Sequence, residues 1–379
     1  MKKPFQFPVM QGKFSKQAHV DIPEGTYEEE IGREGFFGAA THLYHLNPPT
    51  EWVDIQGDCR PQAFDFNKLS AQDGAIWKRK IFLHNAQTQL SMILSQGSDP
   101  CYMRNADGDE IHFVHEGSGV FESDFGTLKF KKGDYVYIPR GATYRFLSTT
   151  SSRRLCIENR GGVFEQPERG ILGHHALYDP AVLVLPEVAP SKEGPTDSAR
   201  GLWEVKIKRG DRYTSLYYDR NPIDVVGLKG DLLAFALSIH DIRPVMSHRA
   251  HLAPSVHSTF VGRGFVICTF VPRPLEEEGG AQRVPFFHRN VDYDEVIFYH
   301  DGDFFSRDNI RPGWMTFHPT GIHHGPHPKA LANQFNKTHT DEYAVMVDTR
   351  EPLMMDSDPE VLSCEWKDYW KSWNPGKTK

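Results

Sequence analysis

Two short motifs occur twice in this chain, in the same order. In the first half Glu110 is followed by six residues and then Gly117; Gly133 then leads through five residues to Pro139-Arg140-Gly141 and, past two more, to Tyr144. In the second half Glu295 stands in the same relation to Gly302, and Gly313 leads through five residues to Pro319-Thr320-Gly321 and past two more to His324. Each copy describes a strand, a tight glycine turn, a returning strand and a Pro-x-Gly corner before the next strand. That arithmetic belongs to a double-sheet jelly roll. A chain that carries it twice is constrained to two such barrels in tandem.

The rest of the sequence agrees. Short runs rich in Val, Ile, Phe and Tyr recur between turn signals, among them Glu110–Val114, Thr127–Phe130, Asp134–Ile138, Tyr213–Tyr218, Gly264–Val271, Glu295–Tyr299 and Tyr343–Asp348. This is an all-β pattern. The one good helix signal is Ser357–Trp373, with Ser357 as N-cap and Pro359 in its first turn; Asn67–Ser70 is a weaker one. Leu185–Arg200, rich in Pro, Ser and charge, reads as a linker, and Pro274–Gln282 with its three glutamates as a solvated surface loop. The expectation is a bicupin: an N-terminal β-sandwich over residues 1–190, a metal-binding one over 191–379, and a short C-terminal helix.

Composition removes most other classes. At 379 residues the chain exceeds what one core organises, and 39% hydrophobic residues suffice to build sizeable ones. No apolar run approaches a membrane span, and the opening MKKPFQFPVMQGKFSKQAHV lacks a continuous apolar stretch, so neither a membrane partner nor a leader is expected. A formal charge of −7 makes no case for nucleic acid. Five scattered cysteines, none in a CxxC pair, argue against a disulfide framework and a thiolate zinc site, and fit a reducing cytoplasm.

Histidine, with 19 copies, is the residue to follow. His288 lies seven residues before Glu295, and His324 sits where the second Pro-x-Gly corner delivers its strand. In a jelly roll these positions converge on the barrel mouth. Two imidazoles and one carboxylate on one face make the set typical of non-haem Fe(II), with open coordination positions; zinc hydrolases use the same donors, so the triad alone leaves the metal open. In the first half Met103 falls where His288 lies and Tyr144 replaces His324. That barrel is expected to be a metal-free scaffold, with His112 and His115 as surface or packing groups. Of the further histidines, His300 is expected to be exposed at a strand end. His318 and His251 are the candidates for the mouth, where a neutral imidazole could take a phenolic proton.

These motifs resemble the homogentisate 1,2-dioxygenase family, ring-cleaving iron enzymes of aromatic catabolism. The resemblance rests on Phe287-His288-Arg289-Asn290, His324-Gly325-Pro326, Asn105-Ala106-Asp107-Gly108-Asp109 and Ser123-Asp124-Phe125-Gly126. It implies Fe(II) held by His288, Glu295 and His324, an acid/base His251 ahead of Pro254-Ser255, and a substrate-lining His318. It also implies a small aromatic acid and O2 as substrates and a homotrimer or hexamer. One extra residue puts Asp294 beside Glu295, and the spacing to Gly302 favours Glu295. Phe304 stands where the family has a tyrosine against substrate, and Arg307 where it has a lysine. Together they are expected to adjust the preferred phenol, with Arg289 or Arg307 pairing with the substrate's carboxylate.

Overall fold

The computed structural model describes residues 9–374 apart from Ala75 and Asp211, so the first eight residues of the opening segment discussed above lie outside it. Two jelly-roll barrels lie side by side. In the first, a seven-stranded sheet runs in the order Phe235–Ser238, Asp134–Ile138, Asp109–Glu116, Ser152–Asn159, Thr88–Ser95, Lys80–His84 and Met354–Met355. The other sheet of this barrel is six-stranded, in the order Arg212–Tyr218, Trp203–Arg209, Tyr102–Asn105, Thr143–Ser148, Gly119–Ser123 and Gly126–Phe130. The second barrel has a six-stranded sheet ordered Ser258–Gly262, Phe265–Phe270, Asp341–Thr349, Asp294–Asp303, Trp314–His318 and Gln62–Asp65. It is completed by a three-stranded sheet in which Tyr27–Gly32 lies between Phe287–Asn290 and Ala40–His45.

Strand alternation explains how the barrels join. Along Asp109–Glu116 successive side chains point to opposite faces. Ile111 and Phe113 enter a core shared by both barrels, while Val114 faces the interior of the first. Along Asp294–Asp303, Val296 and Phe298 enter that same shared core, and Ile297 and Tyr299 face the second interior. The register of the two barrels is equivalent. Tyr144 pairs with Met103 as His324 bridges to His288, and Glu110 pairs with Glu158 as Glu295 pairs with Asp348. Gly302 turns with φ +96, and a Cβ there would lie 1.9 Å from the Asp341 carbonyl oxygen.

Sheet membership crosses residue 190 in both directions. Strands 203–238 pair into the first barrel, whereas 27–45 and 62–65 pair into the second. The C-terminal helix is present but short. It spans Pro359–Ser363 with Asp358, not Ser357, as its N-cap, and a separate 3-10 turn covers Tyr369–Trp373. The chain leaves the helix because Glu365 bridges to Phe64 and the Trp366 amide donates to the Ala63 carbonyl, which seats Tyr369 and Trp373 in the second barrel's core. Asn67–Ser70 contains no helix of its own; a 3-10 turn runs Phe66–Lys68. All five cysteines are free, and among the described residues no helix is long and apolar enough to cross a membrane.

Candidate metal centre

Strand Asp294–Asp303 points Glu295 into the second barrel, and the backbone bridge between His288 and His324 places two imidazoles beside it. Their rings lie 4.0 Å apart. His288 Nε2 is 3.9 Å and His324 Nε2 3.5 Å from the same Glu295 oxygen, Oε2. Each imidazole donates from Nδ1 to the carbonyl two residues before it, Phe286 O and Ile322 O, both at 3.1 Å. The Nε2 lone pairs are thereby turned towards the carboxylate, and His324 Nε2 is buried with no hydrogen-bond partner. Lone pairs facing a carboxylate repel unless something positive lies between. A backbone-anchored Nδ1–H with a free Nε2 is the usual posture of a metal-binding histidine. The donor set therefore fits a divalent cation, and the spacing leaves room for one.

The neighbouring carboxylate has other duties. Asp294 Oδ1 accepts from the Thr320 amide (2.7 Å) and hydroxyl (2.6 Å), and Oδ2 from the Leu353 amide (2.7 Å). Glu295, not Asp294, faces the histidines.

His318 stands elsewhere than expected. It is fully buried behind Glu295, donating from Nδ1 to Oε1 at 2.7 Å and accepting at Nε2 from the Tyr369 hydroxyl at 3.2 Å. Burial pushes its pKa down to about 3. It orients the carboxylate and does not line the mouth. The geometric reason is pairing: His318 sits opposite Glu295 on the adjacent strand, both side chains on the interior face.

His251 does line the cavity, together with His288, Glu295, Tyr299, Phe286 and Arg307. Its Nδ1 lies 3.1 Å from Glu276 Oε1, a carboxylate only 1% exposed. Burial lowers the pKa of His251, opposed by Glu276 and aided by the Arg273 charge. The ring is thus held neutral with its proton on Nδ1 and Nε2 free to accept. Glu276 corrects the surface-loop reading of Pro274–Gln282: the loop folds inward there, and only Glu277 and Glu278 of the three glutamates are exposed. Nothing in the local sequence separates one glutamate from the next.

Phe304 also departs from expectation. It is buried against Tyr299 (4.8 Å between centroids) in the core, and the cavity wall is formed instead by the next residues, Phe305, Ser306 and Arg307. Arg307 is anchored by donating to the Tyr299 hydroxyl (3.3 Å) and the Gly325 carbonyl (3.1 Å), which leaves the rest of its guanidinium for an anion. Arg289 points the other way and pairs with Glu29 at 3.1 Å.

The first barrel offers a contrast at the equivalent position. Glu110 is buried with His112 and Cys156, but the Arg79 guanidinium and the Tyr144 hydroxyl both donate to it. Burial opposes ionisation, yet Arg79 and His112 hold this carboxyl well below the usual range. Arg79 fills the place a cation would take. His112, His115 and His300, expected at the surface or in ordinary packing, are all buried, and His115 Nδ1 lies 2.9 Å from His300 Nδ1 between the barrels.

Comparison with known proteins adds lineage. Residues 81–239 match the family model described as homogentisate 1,2-dioxygenase N-terminal. A Saccharolobus solfataricus protein carrying the name "putative dioxygenase" is 34% identical over 90% of this chain and 92% of its own length. The homogentisate 1,2-dioxygenase of Rhizobium leguminosarum bv. trifolii is 26% identical over 76% of this chain and 67% of its own. Among solved structures, a cupin 2 conserved barrel domain protein from Leptotrichia buccalis covers 79% of this chain and 99% of its own at a TM-score of 0.37 and 8% identity.

Proposed function

Because this chain belongs to the homogentisate 1,2-dioxygenase family and is a dioxygenase by that membership, we propose that it opens the ring of a small para-dihydroxylated aromatic acid, homogentisate first among candidates. The observation that carries the reading is one cavity lined by His288 and Glu295 of the donor set that His324 completes, by His251 backed by Glu276, and by Arg307. Ferrous iron, to which two imidazoles and one carboxylate on one face are suited, would supply open coordination positions and the one-electron chemistry that lets dioxygen react with an aromatic ring.

The protein's own groups do the rest. His251 accepts the phenolic proton at Nε2, while Glu276 fixes the tautomer at Nδ1 and stabilises the imidazolium that forms. Arg307 meets the substrate's carboxylate with a planar fork already tethered at two points. Phe286, Phe270 and Pro254 keep water from the cavity wall. His318 and Tyr369 hold Glu295 in one orientation from behind.

The test is anaerobic reconstitution of metal-free protein with Fe(II), then oxygen-electrode screening of homogentisate, gentisate and hydroquinone. Oxygen uptake with an acidic para-diol, lost in His251→Gln, is the expected result. Oxygen uptake with none of them, alongside hydrolysis or isomerisation supported by Mn(II) or Zn(II), would overturn it.

A further inference from the structure

A second cluster of histidines and glutamates lies on the three-stranded sheet. Glu28 and Glu30 are two residues apart on Tyr27–Gly32, so they share a face, and His42 is the cross-strand partner of Glu30. His19 arrives from the preceding loop and stacks on Phe286, centroids 4.0 Å apart. Both imidazoles lie between the two carboxylates. Their Nδ1 atoms face Glu28: His19 donates to Oε2 at 2.7 Å, and His42 Nδ1 is 3.2 Å from Oε1, off the hydrogen-bond axis. Their Nε2 atoms face Glu30 Oε2, at 3.9 Å for His19 and 3.5 Å for His42.

The two carboxylates differ in a telling way. Glu28 is saturated, accepting also from the His19 amide (3.0 Å) and the Tyr44 hydroxyl (3.1 Å). Glu30, 8% exposed, makes no hydrogen bond among the described residues, and its polar contacts are the two Nε2 atoms. Those separations are too long for hydrogen bonds. The His42 separation is close to the roughly 3.3 Å between neighbouring ligands of a tetrahedral ion with bonds of about 2.0–2.1 Å, and the His19 separation equals that of His288 from Glu295. Glu28 behind the Nδ1 atoms plays the outer carboxylate that orients metal-bound histidines.

We propose that His19, His42 and Glu30 form a second divalent metal site, oriented by Glu28 and suited to Zn(II), separate from the centre at Glu295. Metal-binding imidazoles must be neutral, and with both rings in that form the two buried glutamates present a charge of −2, which a divalent ion cancels. His42 is a quarter exposed, so its side of the cluster gives an ion a way in and leaves the fourth position to water. The two sites adjoin: Glu30 is the Cα partner of His288, and Phe286 lies between His19 and His288. An ion here would brace the strand that carries one member of the other triad.

The test is metal stoichiometry on the full chain. Metal-free protein is loaded with Zn(II), desalted and assayed by mass spectrometry of the metal. Two equivalents per chain are expected. A His288→Ala/His324→Ala variant should retain one, and Glu30→Gln with His42→Ala should remove the other. Glu30→Gln alone, the milder change, should weaken Zn(II) binding at one site at least tenfold. A single equivalent that disappears with His288→Ala/His324→Ala would overturn the proposal, as would a second equivalent indifferent to Glu30→Gln and His42→Ala. A single equivalent lost with Glu30→Gln but not with His288→Ala would instead uphold this site and count against the metal reading of the other.

Discussion

Glu276→Gln isolates the role assigned to the buried carboxylate beside His251. The substitution keeps size and shape and removes one charge from a group 1% exposed. The His251 Nδ1 contact at 3.1 Å is charge-assisted, and such hydrogen bonds contribute about 1.5–3 kcal/mol. If that interaction strengthens as His251 takes a proton, its loss slows turnover by roughly 10- to 150-fold, at about 1.4 kcal/mol per tenfold. A glutamine can also turn its amide to Nδ1 and favour the other tautomer, which places the effect at the upper end. His251→Gln removes the base itself and should cost roughly 10²–10⁴-fold. The assay is single-turnover oxygen uptake with iron content measured on each sample, across pH. Two residues acting as a unit are non-additive, so the double variant should be no slower than His251→Gln. Losses that multiply, or a fall in Glu276→Gln that merely follows iron loss with an unmoved pH profile, would refute the reasoning and leave Glu276 as packing for Arg273.

Single alanine replacements of His288, Glu295 and His324 should each abolish iron retention at this centre with the far-UV dichroism unchanged. Asp294→Ala should keep the metal and lower stability by about 2–5 kcal/mol through three lost charge-assisted bonds, read by denaturant unfolding. Phe304→Tyr should leave the preference among phenols unaltered while costing about 1–3 kcal/mol for a buried hydroxyl without a partner; a sharpened preference for homogentisate would return Phe304 to the cavity wall. Burial lowers His115 to about 4 and His300 to about 3, with Lys132 adding to both and Asp301 opposing. Against an unfolded value near 6.5, the unfolded chain binds more protons below that pH. Stability should therefore fall as pH drops from about 6.5 towards 4, and His115→Gln/His300→Gln should flatten that slope.

The barrel interiors were readable because the repeat fixes register, and register fixes which side chains meet. Met103–Tyr144 and His288–His324 are the same pair in two copies, so the meeting of His288, Glu295 and His324 is legible in their spacing. What was not readable shares one physical cause, partners distant in sequence. Tyr-Glu-Glu-Glu-Ile-Gly does not read as a buried strand, yet Tyr27–Gly32 is one, because His19 satisfies Glu28 and His45, His323 and Arg289 satisfy Glu29. Glu276 and Arg79 were missed for the same reason. Phe304 was misplaced because the turn after Gly302 shifts which residue faces inward. His300 reads as exposed in the sequence because strand Asp294–Asp303 runs past the point where its apolar alternation ends, and the residue that covers it, His115, belongs to the other barrel.

The parallel pairing of Tyr27–Gly32 with Phe287–Asn290 sets a problem during synthesis. The earlier strand leaves the ribosome about 255 residues before its neighbour exists, an interval on the order of 13–50 seconds at roughly 5–20 residues per second. Through that wait it can pair with Ala40–His45 while its other side stays open, the kind of free edge that recruits other chains. Three consecutive negative charges make such recruitment unfavourable, since an incoming copy would bring three more. The same charges that keep the waiting ribbon apart from its siblings are later cancelled, one by one, as the second barrel closes on them. Neutralising Glu28, Glu29 or Glu30 would then be felt first as insoluble nascent chain, before any defect could register in finished protein.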